Sequence, residues 1–239
     1  HEDVRGIAMS SDLKNYIKEG SIKIRKNNDS FMIFRDIPVY IKDPLPDNVD
    51  ILQVLTQVED RIPIRLTNGI EGFYVGFFKE FEERNINAMY RDGAIFVTNE
   101  QDNNDDMVDD LIHEIAHAVE DLHAQFIYSD NRIQSEFIGK RIRLRDMLQE
   151  YGYLDSHEDL DFEDLEYNSE LDNYLYKVLG YEKLETFVNG LFITPYATIS
   201  VREYFATAFE DCLLKDPSYV RKISPMAYIK IEPLLKREV

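Results

Sequence analysis

Five residues, His113-Glu114-Ile115-Ala116-His117, constrain this chain more than any other stretch, because they can act together only on one helix. Residues i and i+4 share a helix face, so both imidazoles can converge on one point. Glu114 lies about 100° further round, at 3.6 residues per turn. The flanking pattern predicts that helix: Leu111, Ile112, Ile115, Val119 and Leu122 form an apolar stripe at helical spacing. Asp105 and Asp106 are candidate N-caps, and Asp109 and Asp110 place negative charge in the first turn, where the helix dipole favours it.

Two neutral imidazole nitrogens, one oxygen ligand and an open fourth position suit Zn²⁺. The expectation is one Zn²⁺ per chain on His113 and His117, with Glu114 reaching a metal-bound water without ligating the metal. The plain alternative is a surface helix that holds two histidines and a glutamate by chance. The mid-helix position and apolar flanks argue against it, as does the scarcity of histidine: the chain has 5, and two form this pair. His123, six residues beyond His117, falls on the wrong face and reads as a surface or structural residue. His1 and His157 have no ligand pattern nearby.

A third ligand must come from elsewhere. Glu136 lies 19 residues after His117, the spacing of thermolysin-like enzymes, but Gln134-Ser135-Glu136 lacks that family's asparagine before the glutamate. Glu203 lies 86 residues after His117. Ser200-x-x-Glu203 is also a capping-box pattern, which would give Glu203 a purely local role.

The rest of the chain reads as one α+β unit. Before the motif helix, Asp12–Lys18 is a weak amphipathic helix candidate, and Phe31–Ile41 reads as strand interrupted at Pro38. A helical stripe over Ile51–Val58 follows Asp50, a plausible N-cap. Ile62–Leu66 and Phe73–Phe77 look like strands around Asn68-Gly69. Ile86–Tyr90 and Ala94–Thr98 read as a hairpin about Arg91-Asp92-Gly93, with Ala94–Thr98 the candidate edge strand. After the motif come a helix over Arg132–Glu150 with an arginine block (Arg141, Arg143, Arg145), and helices near Leu171–Leu179, Glu182–Leu191 and Ser200–Leu214. Between the first two, Tyr151–Tyr176 holds nine Asp or Glu and no Lys or Arg, and reads as a solvated acidic insertion. A calcium loop is a minor alternative there, since the spacing matches no loop motif.

The segment Tyr196 to Phe209 resembles the catalytic end of anthrax lethal factor and the related Pro-Pro endopeptidases. In that group the H-E-x-x-H helix is followed by a tyrosine and, seven residues on, by the zinc-binding glutamate within E-[FY]-F-A-x-A-F. This chain has Tyr196, then Glu203-Tyr204-Phe205-Ala206-Thr207-Ala208-Phe209. The resemblance implies a zincin-like metallopeptidase of the gluzincin type. Its zinc ligands would be His113, His117 and Glu203, its general base Glu114, and its auxiliary transition-state donor Tyr196. The implied fold has a small mixed sheet whose edge strand packs on the motif helix, and a mostly helical C-terminal half. It spans residues 86–239, with the acidic insertion at about 151–176 accounting for a ligand gap roughly twice the family's. Residues 1–85 carry no motif of the family, and their role is unassigned. Thr207 stands where lethal factor has a second glutamate.

The expected reaction is endopeptidase hydrolysis: a zinc-bound water, activated by Glu114, attacks the peptide carbonyl. The substrate is a protein or peptide bound in extended form against an edge strand. Competing readings are a thermolysin-like or regulator-cleaving metallopeptidase using Glu136, a non-catalytic binding module on a peptidase fold, and a structural protein with an accidental motif. The second carboxylate behind a ligand histidine is open among Asp121, Glu210 and Asp211. With 27 Lys+Arg against 46 Asp+Glu, a net charge of -19 disfavours nucleic acid and anionic membranes as partners. The single cysteine, Cys212, excludes an intramolecular disulfide. No run approaches the roughly 20 apolar residues of a membrane helix. No leader is visible, which favours the cytoplasm, whereas the secreted relatives favour export. Oligomeric state is left open.

Overall fold

The computed structural model describes residues 30–156 and 159–236. The helix expected over Asp12–Lys18 lies outside the described residues, as do His1 and His157. The chain divides into two compact units, residues 1–119 and 120–239. This division concerns packing, whereas the boundary near residue 85 marks where the motifs begin.

The first unit is built on a five-stranded mixed sheet of order β1-β2-β3-β5-β4. Strands β1 (Ser30–Phe34) and β2 (Ile37–Ile41) form a hairpin. The expected break at Pro38 falls instead at Arg35-Asp36, both at positive φ (51° and 65°), as a type I′ turn requires. Phe34↔Ile37 closes the hairpin, so the next pair, Ile33↔Pro38, needs no N–H from Pro38 toward β1. On its other side β2 pairs with β3 only from Val39 onward, so the missing donor disrupts neither ladder.

Helix α1 (Ile51–Arg61) is capped as expected by Asp50, whose carboxylate accepts from the amides of Leu52 and Gln53 at 3.0 and 3.4 Å. Ile62–Leu66 is not a strand: residues Ile64–Thr67 form a 3₁₀ turn, closed by the Thr67 hydroxyl on the Ile64 carbonyl at 2.7 Å. A strand would place residues 62, 64 and 66 on one face. Here Ile62 and Leu66 are fully buried while Ile64 is 68% exposed. Strand β3 (Gly72–Gly76) follows, then α2 (Lys79–Arg84), β4 (Ala88–Arg91) and β5 (Ala94–Thr98). The expected hairpin is present, turning at Asp92-Gly93 with φ of 48° and 84°.

The edge assignment requires correction. β5 is interior, because it pairs in parallel with β3 over its whole length as well as antiparallel with β4. The free edge beyond the hairpin is β4. Val39, Phe73 and Ile95 form a buried cross-strand row, and Tyr40, Tyr74 and Phe96 stack on the opposite face with centroids 5.1 and 5.0 Å apart.

Helix α3 (Asn104–Tyr128) is the expected motif helix. Its cap is Asn103, whose side-chain oxygen accepts from the Asp106 amide at 3.0 Å, so Asp105 and Asp106 lie inside the first turn. The apolar stripe is buried from Met107 to Val119, whereas Leu122 is exposed. The helix kinks at His123, whose φ and ψ are -114° and 18°.

The second unit is helical. Beyond the end of α3 it comprises α4 (Arg132–Glu150), α5 (Ser169–Asn173), a π-helical segment (Tyr174–Gly180) and α6 (Tyr181–Val188). A 3₁₀ turn (Pro195–Thr198), α7 (Val201–Leu214), α8 (Pro217–Ile223) and α9 (Pro225–Leu235) complete it. The acidic insertion is more than a solvated excursion, for it buries Leu154, Phe162, Leu171 and Tyr174. Arg141, from the arginine block, is fully buried and donates to the Thr198 and Asp161 carbonyls at 3.0 and 3.4 Å. The Val201 amide donates to the Leu165 carbonyl at 2.8 Å, so the insertion braces the start of α7. Cys212 is buried as a free thiol. Among the described residues no helix is long and apolar enough to cross a membrane.

Candidate metal centre

Helix α3 fixes three of the expected site residues by its own geometry. The His113 and His117 rings lie 5.2 Å apart, centroid to centroid, at an interplanar angle of 78°. Ile112, Ile115, Ala116 and Val119 anchor the helix through fully buried contacts. His117 and Glu114 are both buried.

Glu114 is held by the sheet edge. Its Oε2 accepts from the backbone N–H of Tyr90 at 2.6 Å. Antiparallel alternation explains why that amide is available: Arg91↔Ala94 closes the β4–β5 hairpin, so Met89 bonds to β5 while Ala88 and Tyr90 direct their backbone groups to the free edge. The motif carboxylate therefore faces the strand edge that an extended chain could join.

One turn before His113, Asp110 has its carboxyl pushed up to about 6, chiefly by burial and also by the nearby Glu114 charge. The hydrogen bond from the Gln101 amide, 3.0 Å long, and the proximity of His113 oppose that rise. The sequence marks Asp110 as a helix-dipole charge alone, although its spacing, three before His113 and four before Glu114, makes it a neighbour of both.

Among the described residues, one group of metal-ligating side chains draws together: His113, His117 and Glu203 each offer a ligand atom, all within 4.8 Å of one another. Glu203 is in the first turn of α7, and its backbone N–H donates to the Ser200 hydroxyl at 3.2 Å. That cap uses the backbone of Glu203.

Glu136 has a different employment. Its Oε1 accepts from the Tyr204 hydroxyl at 2.7 Å and its Oε2 from the Met226 amide at 3.0 Å. Lys140 completes the cluster, donating to the Tyr204 oxygen at 2.7 Å and to the Ile223 carbonyl; burial pushes its ammonium down to about 8, with Glu136 opposing. Removing the Glu136 carboxylate strands two donors and an ammonium. We expect Glu136→Ala to lower stability by about 2–4 kcal/mol, measured by urea unfolding, while bound metal per folded chain stays as in wild type.

Tyr196 lies in the 3₁₀ turn and is 45% exposed. The turn is fixed from below: Tyr176 and Thr198 hydroxyls both donate to the Pro195 carbonyl at 2.7 Å, and Arg141 holds the Thr198 carbonyl. Of the three carboxylates left open behind the histidines, Asp121 bonds to Arg202 at 3.1 Å and Asp211 to Lys215 at 2.7 Å. Comparison with protein-family models, with curated proteins and with solved structures gives no match.

Proposed function

We propose that this protein is a zinc-dependent endopeptidase of the gluzincin type with a zincin-like catalytic fold. The observation that carries the reading is the convergence of His113, His117 and Glu203 ligand atoms within 4.8 Å. Two imidazole nitrogens and one carboxylate oxygen are the donor set of catalytic zinc, so these residues fit the metal and would hold it. Bound zinc lowers the pKa of water and polarises a carbonyl.

The chain's own residues supply the rest. Glu114 accepts a proton from the attacking water, whose oxygen bonds to the scissile carbonyl carbon. As the C–N bond breaks, the same carboxylate delivers that proton to the departing amine. The Tyr196 hydroxyl donates a hydrogen bond to the oxyanion that develops on the carbonyl. The substrate lies extended along β4, pairing with the outward backbone groups of Ala88 and with the Tyr90 carbonyl, while the Tyr90 N–H stays on Glu114.

The test is elemental analysis of tag-free protein beside digestion of an unbiased peptide library. One zinc per chain with cleavage lost on chelation and regained on zinc addition supports the reading, and stoichiometric zinc with no cleavage of any peptide or protein leaves only a binding module. Within the same assay Tyr196→Phe should lower kcat by roughly 10-fold or more with KM little changed, as expected for a donor that acts on the transition state. An unchanged kcat removes Tyr196 from the reaction.

A further inference from the structure

The turn of α3 that follows His117 carries a buried charge the proposed chemistry does not use. Glu120 is 3% exposed. An ionised carboxylate at that depth is costly unless it is paired and hydrogen-bonded. Glu120 is paired on both oxygens: Arg202 Nε donates to Oε2 at 2.9 Å, and the Tyr128 hydroxyl donates to Oε1 at 2.5 Å. The same edge of the guanidinium donates through Nη2 to Asp121 at 3.1 Å. Spanning two adjacent carboxylates needs the planar fork of arginine, which an ammonium cannot reproduce.

The sequence positions give this cluster its meaning. Glu120 is three residues after His117 on the same helix, and Arg202 directly precedes Glu203 in the first turn of α7. The Tyr128 bond also reaches back across the kink at His123, tying the last turn of α3 to the turn that holds Glu120. Other bonds at the start of α7 are the Ser200 cap, the Val201 amide on the Leu165 carbonyl, and the Tyr204 hydroxyl with Glu136 and Lys140 of α4. None of these runs to the histidine-bearing helix, and the Arg202 bonds do.

We propose that Arg202, seated on Glu120 and Asp121 and backed by Tyr128, is the positioning residue that sets the first turn of α7 so that Glu203 meets the metal. The proposal rests on the metallopeptidase reading above. It gives Arg202 no contact with substrate, and its signature is metal affinity at constant fold.

The experiment measures zinc dissociation constants by competition with a chromophoric chelator, and melting of the metal-free protein, on the full chain. The variants are Arg202→Met, Arg202→Lys and the double variant Glu120→Gln with Arg202→Met, which avoids leaving a buried unpaired charge. Leu144→Ala, a fully buried core position on α4, controls for destabilisation alone. Outer contacts of a metal site typically govern affinity by roughly 10–100-fold. Arg202→Met and the double variant should therefore bind zinc at least about 10-fold more weakly than wild type, Arg202→Lys should recover only part of the loss, and Leu144→Ala should bind as wild type. Equal zinc affinity in wild type and every Arg202 variant overturns the positioning role and leaves the peptidase reading standing, as does a loss in Leu144→Ala as large as in Arg202→Met. Absence of zinc binding by wild type overturns the peptidase reading itself and the positioning role with it.

Discussion

Glu114→Ala should keep one zinc per chain and lose turnover by a factor on the order of 10³ or more. The size follows from general-base catalysis, which contributes about 10²–10⁴-fold. Zinc should stay because the carboxylate is outside the His113, His117 and Glu203 group. One complication is structural. Glu114 also accepts from the Tyr90 amide, so the alanine variant loosens the edge of β4 as well as removing the base. Glu114→Gln separates the two effects, because its amide oxygen can still accept from Tyr90 but takes up no proton at neutral pH. Equal loss in both variants, measured as kcat/KM on a cleaved peptide with metal content determined in parallel, identifies proton transfer as the role. Full activity in Glu114→Ala would sink the assignment. Recovery in Glu114→Gln would reduce Glu114 to a strut between helix and strand.

Local signals and long-range pairing account for what the sequence reveals here and what it conceals. The motif helix was legible because its histidines and apolar stripe share one period, a short-range property, although its start lies a few residues earlier than expected, so that Asp109 and Asp110 fall beyond the first turn. The β4–β5 hairpin was legible because Asp92-Gly93 supplies both positive φ angles that a tight turn needs. The edge strand was not. Whether Ala94–Thr98 is interior depends on its parallel partner β3, reached by a crossover through α2 and β4, and no residue of β5 encodes that partner. Ile62–Leu66 misled for another reason: apolar residues four apart suit a helical turn and a short strand alike, and only the exposure of Ile64 decides between them.

The role of Arg141 was hidden for a related reason: within the arginine block of α4 it is interior, where two backbone carbonyls, of Thr198 and Asp161, take its donors. Such pairing arises from a segment distant in sequence. The same distance hid the choice of third ligand. Glu136 and Glu203 were both credible carboxylates, and they part company only when Tyr204 and Met226 occupy the first and the histidines approach the second.

That choice sets up the second large effect. Glu203→Ala should bind zinc far more weakly than wild type, by well over 100-fold, because a ligand matters more than the outer contacts worth roughly 10–100-fold. Two histidines alone leave zinc without the third protein ligand that catalytic sites use. The fold should survive. The Ser200 cap accepts from the backbone N–H of Glu203, which alanine retains, and alanine is the best helix former. Against this stands the loss of a carboxylate near a helix N-terminus, worth about 0.3–1 kcal/mol. Metal-free melting temperatures should therefore nearly coincide while metal content diverges, and that pattern distinguishes a lost ligand from a lost fold. Zinc retained at wild-type affinity in Glu203→Ala would move the third ligand elsewhere. Glu136→Ala would then be decisive: metal loss there, beyond what its destabilisation explains, would require Glu136 to leave Tyr204 and Met226 for the zinc.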